Sequence, residues 1–338
     1  MKVEQRPAER QSRDALSDTS TLLGLYREML LIRRFEEKTA EMYQMAKIGG
    51  FCHLNIGEEA AIVGTISALR KEDYVYSNYR EHGHALAKGV NPKAVMAELF
   101  GKETGTSRGR GGSMHLFSQE HRFYGGYAIV GQALPLACGS AYAITYQDRP
   151  EVVMSIFGDG ATNIGAFHES LNVAKLWHLP VVFVCINNQY GMGTAVKRAS
   201  AVTEIWKKAC AYDMTGESVD GMDVLAVRRI TDRLVAQARE KHEPSLLECV
   251  TYRYRGHSMS DPDTYRGKDE IKEWQGRDAI LNLGGHLLKQ KMATQDELQQ
   301  IDEAVTAEVE DAVKFADESP EPDLKDLYRD VYAAEGVH

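Results

Sequence analysis

A doubly wound, mainly parallel α/β sheet with helical extensions at both ends is the fold class this sequence predicts, on three observations. Residues 152–157 form an apolar, β-rich run (Val152, Val153, Met154, Ser155, Ile156, Phe157) that Gly158 bounds, too short for a surface helix and suited to a buried parallel strand. Residues 181–186 form a second such run. Between them apolar residues recur at helical spacing (Ile164, Phe167, Leu171, Ala174) until Pro180 breaks the pattern. A strand, helix, strand unit of this kind crosses over right-handed and places a ligand beyond the carboxyl ends of its strands.

Taken in order, residues 1–20 mix Arg6, Arg10 and Arg13 with Glu4, Glu9, Asp14 and Asp18. Organellar transit peptides are poor in acids, so this reads as an exposed tail or docking arm, in a protein of the bacterial cytoplasm rather than of a plastid or mitochondrial matrix. Leu22, Leu25, Tyr26, Met29, Ile32 and Phe35 keep helical period and predict a helix over 21–46, capped by Ser20 or Asp18 and ended by Gly49 and Gly50. A helix follows over 57–69, a strand over 73–78 and a short helix over 92–100. His82 and His84, in REHGH, are spaced like metal ligands, but no cysteine or carboxylate cluster joins them, and they read as a polar helix start. Residues 101–131 read as a long glycine-rich loop containing Arg108, Arg110, Gly111, Gly112 and Ser113; a loop of that length is functional or disordered, and a cofactor-channel or subunit-contact role fits it. Small residues over 131–146 predict a buried, closely packed helix suited to core or subunit contact. Residues 203–209 and a 219–223 loop lead to a helix over 224–240, and 246–254 alternates as a further strand. The stretches 269–293, 295–316 and 324–332 are charged, amphipathic outer helices. The predicted organisation is thus a tail (1–20), an α/β domain (21–267) and a helical extension (268–338).

Composition excludes several classes. The chain has 338 residues, 43% of them hydrophobic, and a formal charge of −9 that disfavours a general nucleic-acid or membrane-surface binder. Five scattered cysteines (Cys52, Cys138, Cys185, Cys210, Cys249) form no CxxC pair, which argues against a disulfide framework or zinc site. No apolar run is long enough to span a membrane.

The chemistry concentrates at two predicted strand ends. Gly158 and Gly160 let the backbone turn and approach a ligand, and Asp159 between them offers a hard oxygen at a helix amino terminus. After the next strand Asn187 and Asn188 offer amide oxygens, and the Gly191 and Gly193 loop can turn the Tyr190 carbonyl to the same point. Magnesium needs few protein oxygens when phosphate and water complete its octahedron, so Asp159, Asn188 and Tyr190 suffice.

GDG, the intervening residues 161–186, then NN resembles the thiamine diphosphate motif of transketolases and 2-oxo acid dehydrogenases. The resemblance extends from about residue 22 to 266 and is greatest to the alpha-subunit family of pyruvate dehydrogenase (acetyl-transferring). It is carried by FCHLNIGEEA, SNYREHGHALAKG, RGRGGSMHLF, YGGYAIVGQ, VDGMDVLAVR and TYRYRGHSMSDPDTYR. It implies thiamine diphosphate and Mg2+ as cofactors, with Gly158, Asp159, Gly160 and Ala161 in the motif and Tyr79 and Arg80 on the diphosphate. Backbone within 127–130, including Ala128 and Val130, would hold the aminopyrimidine; the family's usual glycine there is Ala128 here. His53 is implied to bind pyruvate's carboxylate or protonate its carbonyl oxygen, and His257 to reach both channel and diphosphate. The serine matching Ser258 is a site of inactivating phosphorylation in mitochondrial relatives, whereas the third such site is Ala195 here.

The implied reaction is oxidative decarboxylation of pyruvate with reductive acetylation of a lipoyl group on dihydrolipoyl acetyltransferase, leading to acetyl-CoA. Nothing here resembles the glutamate-bearing pyrimidine domain, which in the family lies on a beta subunit of an α2β2 assembly; the isolated chain is therefore expected to be inactive. Acetoin and branched-chain 2-oxo acid dehydrogenase alpha subunits share the cofactor motif, but FCHL and HSMSDP are of the pyruvate type. A Rossmann dehydrogenase would need GxGxxG after a first strand and a later acidic residue, an arrangement not found here. A non-catalytic scaffold would hold no metal between Asp159 and Asn188.

Overall fold

The computed structural model describes residues 16–329 and residue 331. The predicted tail therefore lies outside the described residues up to residue 15, as does residue 332 at the end of the last predicted helix. Helix α1 (Thr19–Gln44) starts where Asp18 caps it, its side chain accepting from the Thr21 amide. Then come α2 (Glu59–Ile66), β1 (Tyr74–Asn78), α3 (His82–Ala87), α4 (Pro92–Leu99), β2 (Phe123–Tyr127), α5 (Ala133–Tyr146), β3 (Val153–Gly158), α6 (Gly165–Leu176) and β4 (Val181–Asn187). A small hairpin of β5 (Tyr190–Gly191) and β6 (Thr194–Ala195) leads through α7 (Val196–Ala199) to β7 (Thr215–Asp220), α8 (Val224–Lys241) and β8 (Ser245–Val250). The helices α9 (Lys268–Gln275), α10 (Ala279–Lys289) and α11 (Gln295–Glu318) follow.

Six strands form one parallel sheet in the order β2-β1-β3-β4-β8-β7. Because side chains alternate across a strand, β3 and β4 feed two cores. Met154, Ile156, Val182 and Val184 join a cluster with α1, α2, α8, α10 and α11. Val153, Phe157, Val181 and Phe183 join another with α5 and α6. Both faces are covered, as the unbroken apolar runs of these strands require.

The structure corrects several expectations. The 101–131 stretch is not all loop: it contains β2, an edge strand whose Gly125 and Gly126 mask its β character. Gly126 is needed because a Cβ there would fall 1.9 Å from the Glu81 carboxyl oxygen. Residues 203–223 contain a 3-10 helix (Ile205–Tyr212) and the polar edge strand β7, in which only Val219 is buried. Helix α5 is buried on one side only; Leu136, Tyr142 and Tyr146 are exposed on the other. The predicted 269–293 helix divides at Gly276 into α9 and α10, with Asp278 capping α10. Among the described residues beyond 323 lies a single 3-10 turn, Leu324–Tyr328.

Candidate active site

Strand β1 is followed in sequence by β2 on one side of it, and then β3 pairs with it on the other. That reversal is a topological switch point, where the loops leaving two adjacent parallel strands diverge and open a crevice at their carboxyl ends. Tyr79 and Arg80 leave β1 there, Gly158 and Asp159 leave β3, and Asn188 follows β4. The crevice has two connected chambers sharing Tyr79, Val130, Met192 and His257. The inner one, about 280 Å³, is lined by Arg80, Gly158, Asp159, Gly160, Ala161, Asn188, Tyr190 and Arg253. The outer one, about 670 Å³, adds Phe51, His53, Met114, Ala128, Ser258 and Tyr265. Of the site residues expected from the sequence, all but Asn187 line one chamber or the other.

In the inner chamber Asp159 is 6% exposed, on the first turn of a 3-10 helix (Asp159–Asn163). Burial pushes its carboxyl up to about 6, against the opposing charge of Arg253. Asn188 donates its amide to Glu58 Oε1 at 2.7 Å, and a carboxylate can only accept, so the Asn188 Oδ1 is fixed as the other face of the group. Asn187 is not in the crevice; its amide is tied to Glu248 at 2.7 Å below the strand end. The Tyr190 carbonyl accepts from Arg253 Nη1 at 3.2 Å.

Gly158 has an ordinary extended conformation (φ −89, ψ 168), and a Cβ there would meet nothing within 4 Å. Neither backbone nor packing demands glycine at this position. The missing side chain leaves open space in the crevice, which is what close approach of a ligand needs.

The outer chamber centres on two histidines. The His53 ring lies 4.6 Å from that of Tyr79 and 5.1 Å from that of His257, centroid to centroid. Burial, aided by the Arg80 charge, holds His53 down to about 2 and His257 to about 4, so both are neutral near pH 7. Among the described residues neither Nδ1 has a hydrogen-bond partner, although both are buried. Two neutral imidazoles with an unused ring nitrogen each can donate to, or accept from, a bound polar molecule.

The two chambers are laced together by arginines. Arg80 donates to the carbonyls of Leu54 and His257, each at 2.8 Å. Arg253, 1% exposed, donates to Tyr190 and Met192 of the β5–β6 hairpin and, at 2.8 Å, to the Tyr265 hydroxyl. Tyr265 donates to Asp261 at 2.8 Å, and the same carboxylate oxygen accepts from the His257 amide at 2.6 Å. Sequence reasoning missed Glu58, Arg253 and Met192. Glu58 carried a signal, as an acid inside an apolar stretch; Arg253 lies three residues past the end of β8, within the 246–254 stretch expected to be strand throughout.

The donor set suits a magnesium diphosphate. Among the described residues no three His, Cys, Asp or Glu gather as a metal cluster, so a cation here would rest on one carboxylate, an amide and a carbonyl, with phosphate oxygens completing the shell. A Cβ added at Gly191 would lie 3.7 Å from Asp159 Oδ2, which shows how closely the β5 turn approaches that carboxylate. Arg80 and Arg253 supply positive charge beside the open floor at Gly158. His82 and His84 stand outside this site. They are buried rather than a polar helix surface, with His82 bridging Glu36 at 2.9 Å and Ser113 Oγ at 2.8 Å.

Residues 27–325 match the family described as dehydrogenase E1 component. The chain is 50% identical over 310 residues to a protein named pyruvate dehydrogenase E1 component subunit alpha from Rhizobium meliloti (strain 1021), covering 91% of this chain and 89% of the relative. It is 48% identical to the protein of the same name from Porphyra purpurea, covering 92% and 93%. A third relative, pyruvate dehydrogenase E1 component subunit alpha-3, chloroplastic, from Arabidopsis thaliana, is 47% identical, covering 92% of this chain and 74% of the relative. Among the described residues no helix is long and apolar enough to cross a membrane.

Proposed function

The chain belongs to the dehydrogenase E1 component family, which is thiamine diphosphate-dependent, and from that premise we propose that it is the alpha subunit of a pyruvate dehydrogenase. It would oxidatively decarboxylate pyruvate and acetylate the lipoyl group of a dihydrolipoyl acetyltransferase, leading to acetyl-CoA, as half of an α2β2 assembly in the bacterial cytoplasm. The observation that carries the reading is the switch-point crevice, where Asp159, Asn188 and the Tyr79–Arg80 pair meet over the open floor at Gly158. The pyruvate assignment rests on the names of the relatives.

Thiamine diphosphate, when bound, supplies the nucleophilic carbon and the electron sink that loss of carbon dioxide requires. Everything else falls to the protein. Asp159, Asn188 Oδ1 and the Tyr190 carbonyl would hold magnesium, with Arg80, Tyr79 and His257 on the diphosphate and the backbone at Gly160 and Ala161 beside it. His53, kept neutral by burial, presents a ring N–H to the carboxylate or carbonyl oxygen of a 2-oxo acid without adding a cation to the channel. Phe51, Met114 and Met192 give the outer chamber apolar walls that limit water around the reacting carbon. A beta subunit is supported by apolar surface left bare at the mouth: Ile129 is 70% exposed and Val130 43%, and Leu136 and Tyr142 on α5 continue it.

Co-expression with the beta subunit, followed by product analysis with pyruvate, 2-oxoisovalerate and acetoin in the presence of a lipoyl domain, tests this reading. Acetyl-lipoyl product with pyruvate as the preferred substrate is expected, with no turnover by the alpha chain alone. Preference for either other substrate, or activity of the isolated chain, overturns it.

A further inference from the structure

The SRGRGGS loop that precedes the outer chamber is folded around an acid. Glu98, at the end of α4 and 0% exposed, accepts four backbone amides: Ser107 at 2.7 Å and Gly109 at 2.9 Å on Oε2, Gly111 at 2.7 Å and Gly112 at 3.1 Å on Oε1. Positive φ at Arg108 (57), Gly109 (72) and Gly112 (60) turns these N–H groups inward. Such a run of inward amides is an anion-binding nest. Holding Arg108 in the left-handed region is strained and needs something to repay it. A Cβ at Gly105 would fall 2.3 Å from Glu98 Oε2, so the chain also closes over the carboxylate from outside.

The loop then runs directly into the site. Met114 lines the outer chamber. His115 is held by Ser107 Oγ on its carbonyl at 3.1 Å, and its ring Nδ1 meets the Gly126 carbonyl at 2.9 Å, at the end of β2 that leads to Ala128 and Val130. We propose that Glu98 is a positioning residue, a built-in anion whose carboxylate fills a backbone nest and thereby sets the outer-chamber wall at Met114 and at residues 128–130. With the carboxylate removed, the nest becomes a receptor for a small monocarboxylate from solution. The proposal rests on the function given above only for the consequence in turnover; the nest itself is measured without any reaction.

Two variants of the assembled α2β2 protein test it by amide hydrogen exchange. In Glu98→Ala, protection at Ser107, Gly109, Gly111 and Gly112 should fall about tenfold or more, and excess formate, but not isosteric neutral formamide, should restore it. Glu98→Gln keeps the shape but sets an NH2 group against two of the four donors. Protection should fall at one pair only, and formate should not restore it because the nest is filled. In the catalytic assay Glu98→Ala should raise KM for the lipoyl domain about tenfold and recover with formate. Exchange unaltered at all four amides, or restored equally by formamide, overturns the nest. If formate restores protection but KM for the lipoyl domain never moved, the link to the chamber wall is wrong. If Glu98→Ala does not fold, the paired loss in Glu98→Gln decides alone, and equal protection at all four amides in that variant overturns the proposal.

Discussion

The inner and outer chambers are made in different ways. Gly158, Asp159 and Asn188 stand directly at the ends of β3 and β4, whose ladder runs in register from Val153 opposite Val181 to Gly158 opposite Ile186. Main-chain bonds and two apolar cores fix their positions before any side chain contributes. The outer chamber has no such frame. Its walls come from stretches at 51–53, 114, 128–130, 192–193 and 257–265, held by Arg80, Arg253 and Asp261 through hydrogen bonds to carbonyls, a hydroxyl and amides. The comparison teaches that the half suited to a tightly held cofactor is built on rigid elements. The half proposed to admit a substrate and a partner's arm is built on loops, whose position a few polar contacts can change. Substitutions should therefore separate binding from transfer, and each prediction tests that separation.

The largest effect is expected from Asp159→Ala, which removes the one carboxylate among the three candidate magnesium ligands. Affinity of the assembled protein for thiamine diphosphate in magnesium, measured calorimetrically, should fall about a thousandfold or more while the protein stays folded. A pH dependence sharpens this. Burial raises the Asp159 carboxyl to about 6 from the 3.8 of an ordinary aspartate. Between those values the ligand-free folded protein binds more protons than the unfolded chain, so its stability declines as pH rises through the window. A cation needs the carboxylate deprotonated, so binding strengthens over the same range and weakens about tenfold for each pH unit below 6. Asp159→Ala should abolish that slope. Parental affinity in the variant would return the site to two unrelated strand-end turns.

Next is Ser258→Glu, which should stop transfer while leaving Asp159, Asn188 and Tyr190 of the inner chamber in place. Ser258 lines the outer chamber one residue from His257, on the loop that Asp261 organises. A second carboxylate beside Asp261, facing a bound diphosphate, repels both and draws the loop outward together with His257. Acetylation of the lipoyl domain at saturating cofactor should drop about a hundredfold, Ser258→Ala should be much milder, and thiamine diphosphate affinity should fall by far less than in Asp159→Ala, by the contribution of His257 alone. Full transfer activity in Ser258→Glu would remove this loop from the active site; lost cofactor affinity would join the two chambers into one mechanical unit.

The same division explains what could be read from the sequence. Buried strands such as 152–157 and 181–186 are unbroken apolar runs, and a candidate site at their ends inherits their legibility: the strand ends pick out Gly158, Asp159, Asn187 and Asn188, and only the fold shows that Asn188 rather than Asn187 faces the crevice. Edge strands carry no such signal. In β7 only Val219 is buried, and β2 holds two glycines because Glu81 occupies the space beside Gly126 and the Phe117 ring that beside Gly125, whose φ is +80. Arg253 is among the largest fully buried side chains of the described residues, yet an arginine in TYRYRGH reads as a polar position of an alternating strand until the fold brings Tyr190, Met192 and Tyr265 around it. His53 and His257 are 204 positions apart, and only the coordinates place their rings 5.1 Å from each other. What escapes the sequence is the set of long-range polar contacts, because a hydrogen bond leaves no periodicity behind.

The smallest effect, and the finest test of the comparison, is Gly158→Ala. A glycine at a strand end is ordinarily kept for its backbone freedom or for close packing, and then alanine destabilises the fold. Here φ is −89, within reach of any residue, and the added methyl would touch no protein atom within 4 Å. The ligand-free protein should melt within about 2 °C of the parent, or slightly higher, since alanine restricts the unfolded chain more than glycine does. The methyl would instead take up open space where Gly158 lines the inner chamber, against which the proposed diphosphate would lie. Cofactor affinity should fall about tenfold, the cost of overfilling a close contact, and the KM for the lipoyl domain should not move. A variant that melts well below the parent would mean that Gly158 serves the sheet. One that binds cofactor as the parent does would mean that the diphosphate lies elsewhere in the crevice.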